Sequence, residues 1–120
     1  YKPDGAVLEF TKAYGDKFAL ESDPFMAAAG ADIVITDTWT SMGEEAEKEE
    51  RKRIFKDYQI NKQLLAAANA GAMVQHCLPA YRGQEITEEV FEEHADEIFN
   101  EAENRLHAQK AVMVKLMKKD

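Results

Sequence analysis

The run Ala31-Asp32-Ile33-Val34-Ile35-Thr36-Asp37 constrains the fold more than any other stretch of the chain. Its β-branched residues favour an extended backbone. It lacks the polar alternation of a half-solvated strand, so it is expected inside a parallel sheet covered on both faces. A second run, Ala72 to Leu78, is stopped by Pro79, which has no N–H to give and a fixed φ. Helical signals fill the spaces around these strands. Pro3 and Asp4 open a helix through Tyr14, closed by Gly15, and Asp23-Pro24 opens a short one from Phe25 to Ala29. A charged helix is expected from Glu44 to Phe55, with its acids first and its bases last, as the helix dipole favours. Asn61 caps a helix through Ala68, Thr87 begins another, and an amphipathic helix with Leu106, Val112, Leu116 and four lysines (Lys110, Lys115, Lys118, Lys119) ends the chain. Phe18 to Ser22 and Glu97 to Asn100 read as further short strands. Strand and helix thus alternate about four times. The expected fold is α/β: a parallel sheet of about four strands with helices on both faces, a truncated doubly wound, Rossmann-like domain.

Composition narrows the function. A length of 120 residues with 45% hydrophobic residues suits one domain, 1–120, with a real core. The formal net charge of −8 argues against nucleic acid, whose phosphates need a basic footprint. The single cysteine cannot form an internal disulfide and fits a reducing compartment such as the cytoplasm. No apolar run approaches the ~18–20 residues of a membrane span, and no apolar segment of a secretory signal follows Tyr1. The chain does not begin with Met, so a piece of something longer is expected. The dinucleotide and P-loop glycine patterns are absent, and the His and Cys residues show no zinc-ligand spacing. No cofactor or metal is expected.

Three strand ends would share one rim of such a sheet, the edge where open α/β sheets bind ligands. The first is Asp37, with Ser41-Met42-Gly43 close behind; the second is His76-Cys77-Leu78-Pro79; the third is Glu101 to His107, which carries Arg105. Each has a bland explanation as well. Asp37 suits a turn, Cys77 a small buried hydrophobe, Arg105 a surface ion pair, and His76 a structural role. The charged helix and the acidic run from Glu85 to Glu103 read as solvated faces. The joint occurrence is what points to a site.

Asp37-x-x-x-Ser41-Met42-Gly43, His76-Cys77-Leu78-Pro79 and the run Glu101 to Gln109 resemble ornithine carbamoyltransferases, in that family's order and spacing along essentially the whole chain. The resemblance implies a role for each. Asp37 would hold the α-amino group of L-ornithine, Ser41 and the Met42 backbone the rest of that end. Cys77 would take the proton of the side-chain amine, the Leu78 backbone would contact the carbamoyl group, and Arg105 would polarise the carbonyl of carbamoyl phosphate. An alkylammonium with a pKa of about 10.4 must lose a proton before it attacks a carbonyl. A thiolate flanked by cations could accept it, and a cation at the carbonyl oxygen stabilises the developing charge.

The family's Ser-Thr-Arg-Thr loop and His-Pro-x-Gln motif belong to an N-terminal carbamoyl-phosphate domain and do not occur here. The opening strand–helix–strand of the ornithine domain is missing too, and Arg82 cannot replace a phosphate cradle. The isolated chain is therefore expected to be inert. The exposed edge of Ile33 to Thr36 is expected to drive self-association. Two rivals remain: a folding or assembly module without turnover, and a receiver-like phosphoacceptor domain with Asp37 at a strand end, for which the second acidic pair and the Lys are not in place.

Overall fold

The computed structural model of the chain describes residues 1–41 and 43–118. Strand β1 (Ile33–Thr36) and strand β2 (Met73–His76) pair in parallel, with Ile33 opposite Met73 and Thr36 opposite His76. The helices are α1 (Gly5–Thr11), α2 (Pro24–Ala28), α3 (Lys48–Phe55), α4 (Lys62–Leu65), α5 (Glu88–Glu93) and α6 (Ala95–Met117). The fold is α/β around a parallel sheet, as expected. Its N-caps are those the sequence announces. Asp4 accepts from Ala6 N–H, Asp23 from Phe25 and Met26, Asn61 from Leu64, and Thr87 from Val90. Each such cap stabilises its helix start by about 1 kcal/mol.

The strand count is lower than expected. Among the described residues the sheet has two strands, not about four. Phe18 is extended (φ −130°, ψ 130°), but the segment to Ser22 joins no ladder. An extended segment becomes a strand only where a neighbour exchanges hydrogen bonds with it, and none lies beside it here. Glu97 to Asn100 is helical, inside α6. There Ile98 joins a helical period with Ala95, Ala102 and Arg105, and Asp96 and Glu97 fall in the first turn, where the helix dipole favours acids. Three helices are shorter than expected. α1 ends at Thr11, where a 3₁₀ segment (Lys12–Lys17) takes over and runs through Gly15; residues 45–47 form a 3₁₀ turn ahead of α3; and α4 ends at Leu65.

The core is small: Ala28, Ile60, Leu64, Val74, Ile86, Val90, Phe91 and Ile98. Val74 and His76 are buried, and Val34, which shares their sheet face by register, packs against that core. The opposite face is bare rather than helix-covered, with Ile33 48%, Ile35 65% and Met73 40% exposed. The edges differ as well. Beyond β2 runs α6, whose Glu97 carboxylate accepts Val74 N–H at 2.8 Å. No described strand pairs with the outer side of β1.

Candidate active site at the sheet rim

Parallel pairing with this register puts the C-terminal ends of β1 and β2 side by side, so Asp37 and Cys77 emerge together. The Cys77 thiol donates to Asp37 Oδ1 at 3.2 Å, and the same oxygen accepts Thr38 N–H at 2.7 Å. Arg105, two turns along α6 from the buried Ile98, reaches back to donate from Nη2 to the Cys77 carbonyl. A cavity of about 350 Å³ opens between these loops. Asp37, Ser41, Cys77, Leu78 and Arg105 all line it, together with Lys48. Five of the six candidate residues from sequence are thus gathered at one rim. The sixth, Met42, lies outside the described residues.

The loop after β2 is built around a buried pair. Leu78 has φ +55°, a left-handed conformation that costs a residue with a Cβ about 1 kcal/mol or more. His76 holds it there, since its Nδ1 accepts Leu78 N–H at 3.0 Å. Nε2 therefore carries the ring proton and donates to Glu85 Oε1 at 3.1 Å. That oxygen also accepts Tyr81 N–H at 2.6 Å, so one carboxylate ties both ends of the loop. His76 and Glu85 are both completely buried. His76 is structural, as expected. Glu85 is not part of a solvated acidic face. Sequence reasoning missed it because its partner lies nine residues away with no periodic signal between them. With its N–H committed to His76, Leu78 can offer a ligand its carbonyl.

The loop after β1 is fastened from outside. Ser41 N–H donates to Glu44 Oε2 at 3.1 Å, and Glu44 N–H donates to the Ser41 carbonyl at 3.1 Å, a reciprocal clasp like a capping box. Arg51 donates to Glu44, Glu47 and the Trp39 carbonyl.

The electrostatics at Cys77 differ from a thiolate surrounded by cations. Burial pushes the thiol above its ordinary pKa, the hydrogen bond and charge of Asp37 push it further, and Glu101 adds to this. Arg105 alone pulls it down. Cys77 is therefore a thiol at neutral pH, donating to a carboxylate. Donor atoms of Asp37, His76 and Cys77 lie within 4.8 Å of one another, a spacing a metal could use. Both ring nitrogens of His76 are already engaged, so the set offers an ion a carboxylate and a sulfur only. Arg82 is no phosphate ligand here. It pairs with Glu92, and its guanidinium stacks 4.3 Å from the Phe91 ring centre.

Residues 1–116 match the family model described as aspartate/ornithine carbamoyltransferase, Asp/Orn binding domain. The chain belongs to that family. It is 53% identical to the ornithine carbamoyltransferase of Methanosarcina acetivorans over 118 residues, which cover 98% of this chain and 39% of that protein. The solved anabolic ornithine carbamoyltransferase of Campylobacter jejuni superposes with a TM-score of 0.90 at 47% identity, over 97% of this chain and 40% of that one. The Pyrococcus furiosus ornithine carbamoyltransferase gives a TM-score of 0.80 at 44% identity, over 95% of this chain and 38% of that one. The chain thus spans about two fifths of the length of these carbamoyltransferases.

Proposed function

We propose that the rim cavity is the amino-acid half of an ornithine carbamoyltransferase active site. The full reaction transfers the carbamoyl group of carbamoyl phosphate to the side-chain amine of L-ornithine, giving citrulline and phosphate. The observation that carries this reading is the convergence of Asp37, Cys77 and Arg105 on one cavity. Asp37 suits an α-ammonium group, as a charge-assisted acceptor. Ser41 and Met42 take the rest of that end. The side-chain nitrogen then lies toward Cys77, with the Leu78 carbonyl and Arg105 at the carbamoyl end.

In the reaction the amine loses a proton and its lone pair attacks the carbonyl carbon. The C–N bond forms as the C–O bond to phosphate breaks, and phosphate leaves with the electron pair. The thiolate form of Cys77, a minority at neutral pH, takes the proton. Its raised pKa has two opposed effects: fewer chains hold a thiolate at neutral pH, but those that do hold a base better matched to an alkylammonium. Arg105 stabilises charge on the carbonyl oxygen.

Among the described residues the cations lining the cavity are Lys48 and Arg105, too few to cradle a phosphate as well. The chain is therefore inert alone and works with an N-terminal carbamoyl-phosphate domain; its single cysteine, which cannot form an internal disulfide, fits the cytoplasm. Among the described residues no helix is long and apolar enough to cross a membrane. Calorimetric titration with L-ornithine, with a carbamoyl-phosphate domain supplied, tests the reading. Asp37→Asn should weaken binding about 10- to 100-fold, the scale of a hydrogen bond between charged groups. Unchanged affinity would remove Asp37 from the amino-acid site.

A further inference from the structure

Two cations line the rim cavity among the described residues, and they come from different elements. Arg105 belongs to α6 and is fastened to the Cys77 carbonyl, at the carbamoyl end. Lys48 opens α3, just beyond the loop that carries Asp37 and Ser41. The later bases of α3 are spent on its own acids and its neighbours' acids. Arg51 pairs with Glu44 and Glu47, Lys52 with Glu49, and Arg53 with Glu50. Lys48 instead holds its ammonium 5.7 Å from the centre of the Tyr81 ring, and Tyr81 lines the same cavity. It thus reaches from α3 to the loop after β2, kept at the cavity by an aromatic face that attracts a cation.

L-Ornithine carries an ammonium and a carboxylate on one carbon. Asp37 answers the ammonium. A carboxylate taken out of water beside Asp37 is opposed by desolvation and by a like charge, so it needs a cation of its own. The Ser41 hydroxyl is neutral, and Arg105 is engaged at the other end of the cavity. We propose that Lys48 binds the α-carboxylate of L-ornithine, and so makes the site select an α-amino acid over a simple diamine. The inference rests on the amino-acid site proposed above and adds a specificity residue to it. A lysine suits the task, being a compact charge on a flexible stem. Its contact with Tyr81 restrains that stem before the ligand arrives, which lowers the ordering cost of binding.

Calorimetric titration of the chain, with a carbamoyl-phosphate domain supplied, tests this by comparing L-ornithine with 1,4-diaminobutane. The diamine is L-ornithine without its carboxylate. Lys48→Met keeps an unbranched apolar stem and removes the charge. It should weaken L-ornithine about 10- to 100-fold, the scale of a charge-assisted hydrogen bond, and leave the diamine within about twofold of wild type. Lys48→Arg keeps the charge and should recover most of that loss. The Tyr81 ring is 46% exposed, so losing its contact should leave the fold intact by circular dichroism. Unchanged L-ornithine affinity in Lys48→Met would overturn the proposal. So would equal losses for both ligands, which would make Lys48 a prop between the loops, or a loss confined to carbamoyl phosphate, which would assign it to the other substrate. Asp37→Asn separates this failure from failure of the site itself. If Asp37→Asn weakens L-ornithine and Lys48→Met does not, only Lys48 is removed; if neither does, the amino-acid site falls with it.

Discussion

The two loops that wall the cavity are held by opposite means. The loop after β2 hangs on a carboxylate and an imidazole sealed from water, and through them on the left-handed Leu78. The loop after β1 hangs on Arg51, Glu44 and Glu47, all at least partly solvated. In a low-dielectric site, removal of an acceptor leaves each buried donor it served unsatisfied, at a cost of about 1–3 kcal/mol apiece. Exposed ion pairs contribute about 0–1 kcal/mol each and fade with salt. The thiol and the Leu78 carbonyl are thus preset, while the loop that carries Ser41 is fastened by contacts that water competes for.

The largest effect should come from the buried pair. Glu85→Ala should destabilise the chain by about 2–6 kcal/mol in urea denaturation, by leaving two donors, His76 Nε2–H and Tyr81 N–H, without an acceptor. Glu85→Gln keeps an acceptor and should cost clearly less. Arg51→Ala should cost far less than Glu85→Ala, and the loss should shrink in 1 M NaCl. If Arg51→Ala proves as costly as Glu85→Ala, the contrast between the loops is wrong.

The smallest effect is on titration at the junction of the loops. Alkylation of Cys77 by iodoacetamide reports its thiolate, and its midpoint should lie above that of an ordinary thiol because burial and Asp37 both disfavour the anion. Asp37→Asn should move the midpoint down, since it removes the acceptor's charge. Arg105→Ala should move it up. A pKa raised in the folded state also means that the stability this thiol contributes is present at lower pH and lost as pH rises through the folded value. A midpoint that neither substitution moves would separate Cys77 from both neighbours.

Much of this was legible in the letters, and the gaps have physical causes. The β-branched run before Asp37 and the proline after Leu78 marked where both strands give way to loops, although β2 stops at His76 and leaves Cys77 and Leu78 in the loop; parallel pairing then brings Asp37 beside Cys77. Four helix starts were readable because a cap is a local hydrogen bond made by a residue two or three positions away. Strand number was not readable from Phe18 to Ser22, because pairing is a property of two segments and one cannot supply it. Glu97 to Asn100 misled because Ile98 and Phe99 are only a dipeptide, too short to separate period 2 from period 3.6. Glu85 looked like one more solvated acid among many. Its burial depends on a loop geometry set by His76 and Leu78, which no pattern in the sequence encodes.

The central claim is that Cys77 acts on the side-chain nitrogen of an amino acid held by its other end. Its most direct test is Cys77→Ser in the chain reconstituted with a carbamoyl-phosphate domain, comparing L-ornithine affinity with citrulline formation. The account predicts affinity within about threefold of wild type, because the lost thiol contacts only one end of the ligand, with turnover reduced at least 100-fold, the scale of general base catalysis. Parallel loss of binding and turnover, or turnover that survives in the serine variant, would contradict it.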